Sequence, residues 1–285
     1  MSGVEGLMER LESDGVCEPG SGGAPLISVR DVTMRFPIPK RYREWVLHPL
    51  RARRVVTALR GASVEILPGD RIAVMGPNGA GKTTLLKLIS GLLFPSEGDV
   101  TVKGLSTLHD NAAARKSVGF VFNEERSFYW RLTGVQNLEF FGALDNLRGR
   151  ELKERIRELM QLVGLEAAGD QMVSGYSSGM KQRLAMARVM LSDPEVLILD
   201  EPTRALDPVA AEEMMNLVLT DLHRGARKTL LIATHRPEEA LTLCNKLIVI
   251  DGGRIRGFLN LARLEEEGMT LLEYYRRCVA GEKAA

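Results

Sequence analysis

The chain is poor in the residues that build disulfide scaffolds, metal clusters and membrane spans. Its three cysteines, Cys17, Cys244 and Cys278, are unclustered and have neither metal-ligand spacing nor a disulfide framework, which fits reduced thiols in the cytosol. No apolar run approaches the roughly 18 to 20 residues that cross a bilayer, and the longest, such as 196–199 and 247–250, are strand-length. The first residues lack the basic start and long apolar segment of a secretory signal. Charge of one sign is also missing: 38 Lys and Arg against 37 Asp and Glu leave a net charge of +1, so no nucleic-acid partner is expected. With 285 residues and 45% hydrophobic content, the chain has enough to bury one substantial core.

Residues 1–24 hold several acids and end in Pro19-Gly20-Ser21-Gly22-Gly23, a composition that favours a flexible tail. The alternation from Leu26 to Phe36 predicts a half-exposed strand, and residues 64–67 before Pro68-Gly69-Asp70 predict a second strand closed by a turn. Between them, residues 38–58 carry Lys40, Arg41, Arg43, Arg51, Arg53 and Arg54 against the single acid Glu44, with Tyr42, Trp45, Val46, Leu47 and Leu50 interleaved. That insert reads either as an interfacial segment for a membrane surface or membrane partner or as a solvated basic loop, and Pro39 and Pro49 limit any helix between them. Short buried strands are predicted at 71–75, 196–200, 229–234 and 246–250, separated by helical patterns. This repetition points to an α/β core with a parallel sheet and a mainly helical insertion over about 123–190. Within the insertion, Leu152, Ile156, Leu159, Met160 and Val163 fall at helix spacing, and the intervening charges read as a solvated face.

Gly76-Pro77-Asn78-Gly79-Ala80-Gly81-Lys82-Thr83 is a complete phosphate loop, placed behind the strand at 71–75 and ahead of a helix that continues with Thr84. Its glycines let successive backbone N–H groups turn toward phosphate oxygens, and the helix N-terminus favours the same anion. Lys82 supplies a positive charge for the β and γ phosphates, and Thr83 offers a hydroxyl to Mg²⁺. The ligand expected from these residues is a nucleotide phosphate with Mg²⁺. The strand at 196–200 ends in Asp200 and Glu201, which suits phosphoryl transfer to water: Asp200 holds the Mg²⁺ shell, and Glu201 orients or deprotonates the attacking water. His235, behind the strand at 229–234, reads either as a contact to the γ-phosphate or as an ordinary polar strand cap. Ser177 and Ser178 precede a helical pattern, where they serve either as a simple cap or as part of an anion site at the first turn.

The phosphate loop, Tyr176-Ser177-Ser178-Gly179-Met180, Leu199-Asp200-Glu201-Pro202, Ala205-Leu206-Asp207 and Thr234-His235 occur in an order and spacing that resembles the nucleotide-binding subunits of ABC transporters, over roughly residues 26–255. The resemblance implies an α/β P-loop NTPase core with a mainly parallel sheet, an antiparallel β subdomain and the helical insertion, followed by a short tail over 256–285 with a helix around 271–278. It implies two copies of the chain clamping two ATP molecules head to tail, so that Ser177 and Gly179 touch the γ-phosphate held by the partner copy and Asp207 lies at the dimer interface. Phe36 resembles the aromatic residue that stacks on adenine, with Tyr42 a second candidate. Where the family shows a glutamine after a strand, this chain reads Asn123-Glu124, and Glu124 is favoured as the group that reaches Mg²⁺ and ATP. Arg204 replaces a small residue common before Ala-Leu-Asp, and Ser178 stands where a second glycine is more frequent; neither change removes a catalytic group.

Tyr176-Ser177-Ser178-Gly179-Met180, the long insert and Phe128-Tyr129-Trp130-Arg131-Leu132-Thr133-Gly134 resemble the ATPases of ABC-2 type exporters, including those that move polysaccharides and other lipid-linked glycans. Leu199-Asp200-Glu201-Pro202-Thr203 is nearer the drug and ion exporters of that type. The resemblance therefore implies an ATP hydrolase, peripheral at the cytoplasmic face of the membrane through a separate ABC-2 type permease.

Overall fold

The computed structural model describes residues 24–38, 55–121, 128–204, 206–224 and 228–280. Residues 1–23 of the expected N-terminal tail, residues 39–54 of the basic insert with Tyr42, and the Asn123-Glu124 pair lie outside the described residues.

Two sheets organise the described chain. The first is four-stranded and antiparallel, in the order β2-β1-β4-β5, built from β1 (Ile27–Pro37), β2 (Val55–Ile66), β4 (Glu97–Val102) and β5 (Leu105–Ser106). The second is six-stranded, in the order β10-β9-β3-β8-β7-β6, built from β3 (Arg71–Met75), β6 (Val118–Val121), β7 (Val196–Asp200), β8 (Thr229–Ala233), β9 (Lys246–Asp251) and β10 (Arg254–Asn260). Its strands run parallel except β10, which pairs antiparallel with β9.

The central strands are apolar at nearly every position because both faces are covered. On one face Ile72, Val74, Ile198, Leu231 and Ile248 pack with α1 (Lys82–Ile89) and with Ile27, Val29, Leu59 and Val100 of the antiparallel sheet. On the other, Ala73, Met75, Leu197, Leu199, Ile232 and Val249 pack against helices. Those helices include α3 (Gly134–Leu144), α4 (Gly149–Leu162) and α5 (Ser178–Met190), which lie between β6 and β7 in sequence; the short α2 (Asn111–Arg115) precedes β6. The same cluster takes in α6 (Pro208–Arg224), α7 (Pro237–Leu243), α8 (Leu261–Glu266) and α9 (Leu271–Ala280).

The local causes are readable in each element. Thr133 and Gln136 close a capping box at the start of α3: Gln136 N donates to Thr133 Oγ1 at 3.1 Å and Thr133 N donates to Gln136 Oε1 at 3.0 Å. In α4, Leu152, Ile156, Leu159, Met160 and Val163 at its end are all buried while the charged residues other than Arg155 face out, so truncating Leu159 to Ala would cost about 2–5 kcal/mol.

Two expectations are corrected. The second strand is not confined to 64–67: β2 starts at Val55, so residues 55–58 of the supposed insert are paired with β1 through Phe36↔Val56 and Arg35↔Thr57. The segment expected as a short helical tail from 256 is also more than helix. β10 continues to Asn260, and Leu261, Leu264 and Leu271 of the segment taken for a tail join the main core, because they cover the apolar surface of β9 and β10.

Candidate functional site

The phosphate loop follows β3, Asp200 ends β7, and Thr234-His235 follows β8. These strands are adjacent and parallel in the order β3-β8-β7, so the sheet itself delivers all three segments to one edge, at the carboxyl ends of its strands.

Backbone packing fixes the loop tightly. A Cβ on Gly76 would lie 2.1 Å from the Ile250 carbonyl oxygen, and one on Gly81 would lie 2.6 Å from the Ala58 oxygen. Gly81 also has φ 113 at the N-cap of α1, a conformation that glycine adopts without steric cost. The first turn of α1 contains no acid, so its free amides remain compatible with an anion. The buried Lys82 donates from Nζ to the carbonyl oxygens of Gly76 at 2.8 Å and Pro77 at 3.1 Å. Burial lowers its pKa, and Glu201 and Asp200 act against that shift.

Thr83 Oγ1 donates to Asp200 Oδ1 at 3.1 Å. Burial pushes the Asp200 carboxyl above the ordinary carboxylate range, the Thr83 hydrogen bond opposes this, and the neighbouring Glu201 adds to it. Glu201 has φ 49, a left-handed conformation that costs a non-glycine residue on the order of 1 kcal/mol or more and is held by the bond from Glu201 N to Ala233 O at 2.9 Å. This turn brings Glu201 Oε1 to 3.6 Å from His235 Nδ1. Arg204 Nη1 lies 2.9 Å from Glu201 Oε2.

The residues present fit a magnesium nucleotide. Mg²⁺ takes hard oxygen donors, commonly one or two carboxylates completed by phosphates and water, and a hydroxyl paired with a single half-buried carboxylate is such a set. Among the described residues no group of three or more His, Cys, Asp or Glu forms a self-sufficient metal cage.

Ser177, Gly179 and Asp207 lie apart from this cluster. Ser177 caps α5, its Oγ accepting from Met180 N at 3.2 Å. A Cβ on Gly179 would have Ala210 Cβ at 3.7 Å and Leu206 Cδ2 at 3.9 Å as its nearest neighbours, so Gly179 sits beside the 206–210 segment and not against the phosphate loop. Asp207 accepts from Val209 N and Ala210 N, both at 3.0 Å, at the start of α6. Phe36 is at the exposed end of β1, opposite Val56, which lies two residues before the Ala58 that abuts Gly81. Pro77, Asn78, Gly79, Ala80 and Thr84 occupy the loop and first turn as the motif requires. Glu124 lies outside the described residues.

Sequence reasoning missed Glu239. It is 2% exposed on α7, and its carboxylate accepts from Thr234 Oγ1 at 2.6 Å and from Thr203 Oγ1. An acid in the first turn of a helix is ordinarily a solvent-facing residue, so nothing local marked it.

A family profile described as ABC transporter matches residues 59–204, about half of the chain. The chain is 37% identical over 203 residues to ABC transporter ATP-binding protein NatA of Bacillus subtilis (strain 168), covering 71% of this chain and 82% of that protein. It is 35% identical over 249 residues to Nod factor export ATP-binding protein I of Neorhizobium galegae, covering 87% of this chain and 66% of the relative. ATP-binding proteins of import systems are similar to it as well. A dimeric structure of the ATP-binding cassette MJ0796 in a post-hydrolysis state, bound to ADP and Pi, superposes with a TM-score of 0.70 at 26% identity, covering 82% of this chain and 98% of that one. ABC ATPases work as dimers with a membrane permease, and among the described residues no helix here is long and apolar enough to cross a membrane. The chain belongs to the ABC transporter family, as an ATP-binding subunit that hydrolyses ATP.

Proposed function

We propose that this subunit powers an ABC-2 type export system. At the cytoplasmic face of the membrane two copies close on two ATP molecules, hydrolysis reopens them, and a separate membrane permease takes up the movement. The observation that carries the dimer is the split site. Lys82, Thr83, Asp200, Glu201 and His235 gather at one sheet edge, whereas Ser177 and Gly179 sit beside 206–210, which supports a role in another chain's site.

In this reading the loop from Gly76 to Thr84 wraps the phosphates, Lys82 pairs with the β and γ groups, and Phe36 stacks on adenine. Thr83, Asp200 and Glu124 would hold Mg²⁺, which when bound would supply neutralising charge at the phosphates. Glu201 takes the proton of the attacking water, His235 contacts the γ-phosphate, and Asp207 lies where the two copies meet.

Coupling to the permease has support in the helical region. Tyr129, Trp130, Phe140, Leu144 and Met172 are exposed. Tyr129 and Phe140 stack edge to face at 4.7 Å, and buried Asn137 pins their turn by accepting from Tyr129 N and donating to Tyr129 O and Thr133 O. Trp130 O accepts from Ser174 N at 3.1 Å and Leu132 O from Val173 N at 3.0 Å, so the exposed aromatic turn is tied to the segment that leads into Ser177. A partner pushing on that turn moves the loop that reaches the other copy's ATP.

Export, with a polysaccharide or another lipid-linked glycan as cargo, is supported by Tyr176-Ser177-Ser178-Gly179-Met180 and by the long alignment to a Nod factor export protein. The run Leu199-Asp200-Glu201-Pro202-Thr203 favours a drug or ion as the second reading. Glu201→Gln should give a dimer that forms with ATP and does not hydrolyse it, read by light scattering and phosphate release; a monomeric, fully active variant overturns the site assignment. Vesicles holding the subunit with its permease should show hydrolysis stimulated by glycan and blind to drugs and ions. Stimulation by a drug or ion alone transfers the cargo to the second reading.

A further inference from the structure

Glu239 brackets the hydrolytic turn from behind. A carboxylate with 2% exposure is costly unless each oxygen has a donor, and both of these do. Thr234 Oγ1 accepts from Arg236 N at 3.0 Å, which leaves its single proton for Glu239 Oε2 at 2.6 Å. Thr203 Oγ1 donates to Oε1, and Arg236 Nη1 lies 3.9 Å from that oxygen. Both threonines are themselves 2% exposed, so neither hydroxyl has ready exchange with bulk water.

The placement in sequence gives these bonds their meaning. Thr203 is two residues past Glu201, and Thr234 immediately precedes His235. One carboxylate therefore ties the segment leaving the candidate base to the segment entering the candidate γ-phosphate contact. The two side chains held in this way face each other at 3.6 Å. The hydrogen bonds of Glu239 go to these hydroxyls and none goes to the phosphate loop.

We infer that Glu239 is a positioning residue for hydrolysis: it sets Glu201 and His235 relative to each other and leaves nucleotide binding to the loop. The inference rests on the assignment of Glu201 proposed above. A base displaced by a fraction of an ångström loses turnover while substrate affinity, set by other groups, stays where it was.

The test compares Glu239→Ala, Glu239→Gln and Thr203→Val in the full-length chain, with Glu201→Gln as reference. Glu239→Ala should lower kcat by ~10–100-fold while KM for ATP and the affinity for a fluorescent ATP analogue stay within about twofold. Glu239→Gln keeps the shape and can bond both hydroxyls after one of them turns, so it should recover turnover to within about threefold of the parent. Thr203→Val, which keeps volume and breaks one arm, should show the same split at smaller size, and it decides the matter if Glu239→Ala does not fold. Unchanged kcat in the variants that fold overturns the inference, as does a parallel loss of ATP affinity that Gln fails to rescue. Full activity of Glu201→Gln would instead overturn the assignment of the base.

Discussion

Arg204 and Glu201 form an ion pair within one turn, with Nη1 of the guanidinium 2.9 Å from Oε2 of the carboxylate. Arg204 is mostly exposed, so the pair adds little to stability, about 0–1 kcal/mol net of holding the side chains. Its consequence is positional. One oxygen of the candidate base is occupied by a cation, and the other faces His235.

Replacing Arg204 by Ser, nearer the small residue that the family resemblance leads one to expect there, should free that oxygen. Basal ATP turnover should rise about two- to fivefold, within what a single proton-transfer group can contribute. The melting temperature should hold within about 2 °C, as expected for a surface pair. A fall in turnover as deep as that of Glu201→Gln would mean instead that Arg204 acts on the phosphate.

Two glycines should separate requirements inside one copy from requirements across the dimer. At Gly81 a Cβ meets the Ala58 oxygen at 2.6 Å in a left-handed backbone, so Gly81→Ala should destabilise the isolated chain by a few kcal/mol. At Gly179 a Cβ meets only ordinary contacts at 3.7 Å and beyond. Gly179→Ala should therefore melt like the parent, and any loss of ATP-dependent dimerisation and hydrolysis must come from outside the copy that carries it. Equal melting losses for the two variants would remove that distinction.

Asp200→Asn should trade function for stability. Burial raises the Asp200 pKa, so folding favours its protonated form: its cost is absent below the ordinary carboxylate range and is incurred as pH rises through the raised value. At neutral pH, with nucleotide and Mg²⁺ removed, the neutral amide should raise the melting temperature by about 2–4 °C for each kcal/mol relieved. It still accepts from Thr83 while hydrolysis is lost. A lower melting temperature would show that the ionised carboxylate is stabilised by more than its burial costs.

The elements that could be read in advance each carry their own signal within a short stretch. Residues 71–83 announce a strand, a phosphate loop and a helix start; 196–201 announce a buried strand ending in two acids; 152–163 show the helix face that α4 buries. What could not be read depends on pairing. β2 begins at Val55 because β1 supplies partners for Thr57 and Val56, although their basic neighbourhood reads as a loop. β10 and the helices after it join the core because β9 offers an uncovered edge and face, a fact absent from residues 254–271 themselves.

The sequence by itself pointed to a nucleotide phosphate as ligand, since glycines, Lys82, Thr83, Asp200 and Glu201 have a chemistry that their order and spacing expose. Tertiary structure decided how those groups meet. Thr83 reaches Asp200 across 117 residues of chain, Arg204 turns back onto Glu201, and Glu239 is buried against two threonines. The reason is physical: local patterns report which face of an element is apolar, whereas hydrogen bonds between strand ends are set by the order in which β3, β8 and β7 lie side by side.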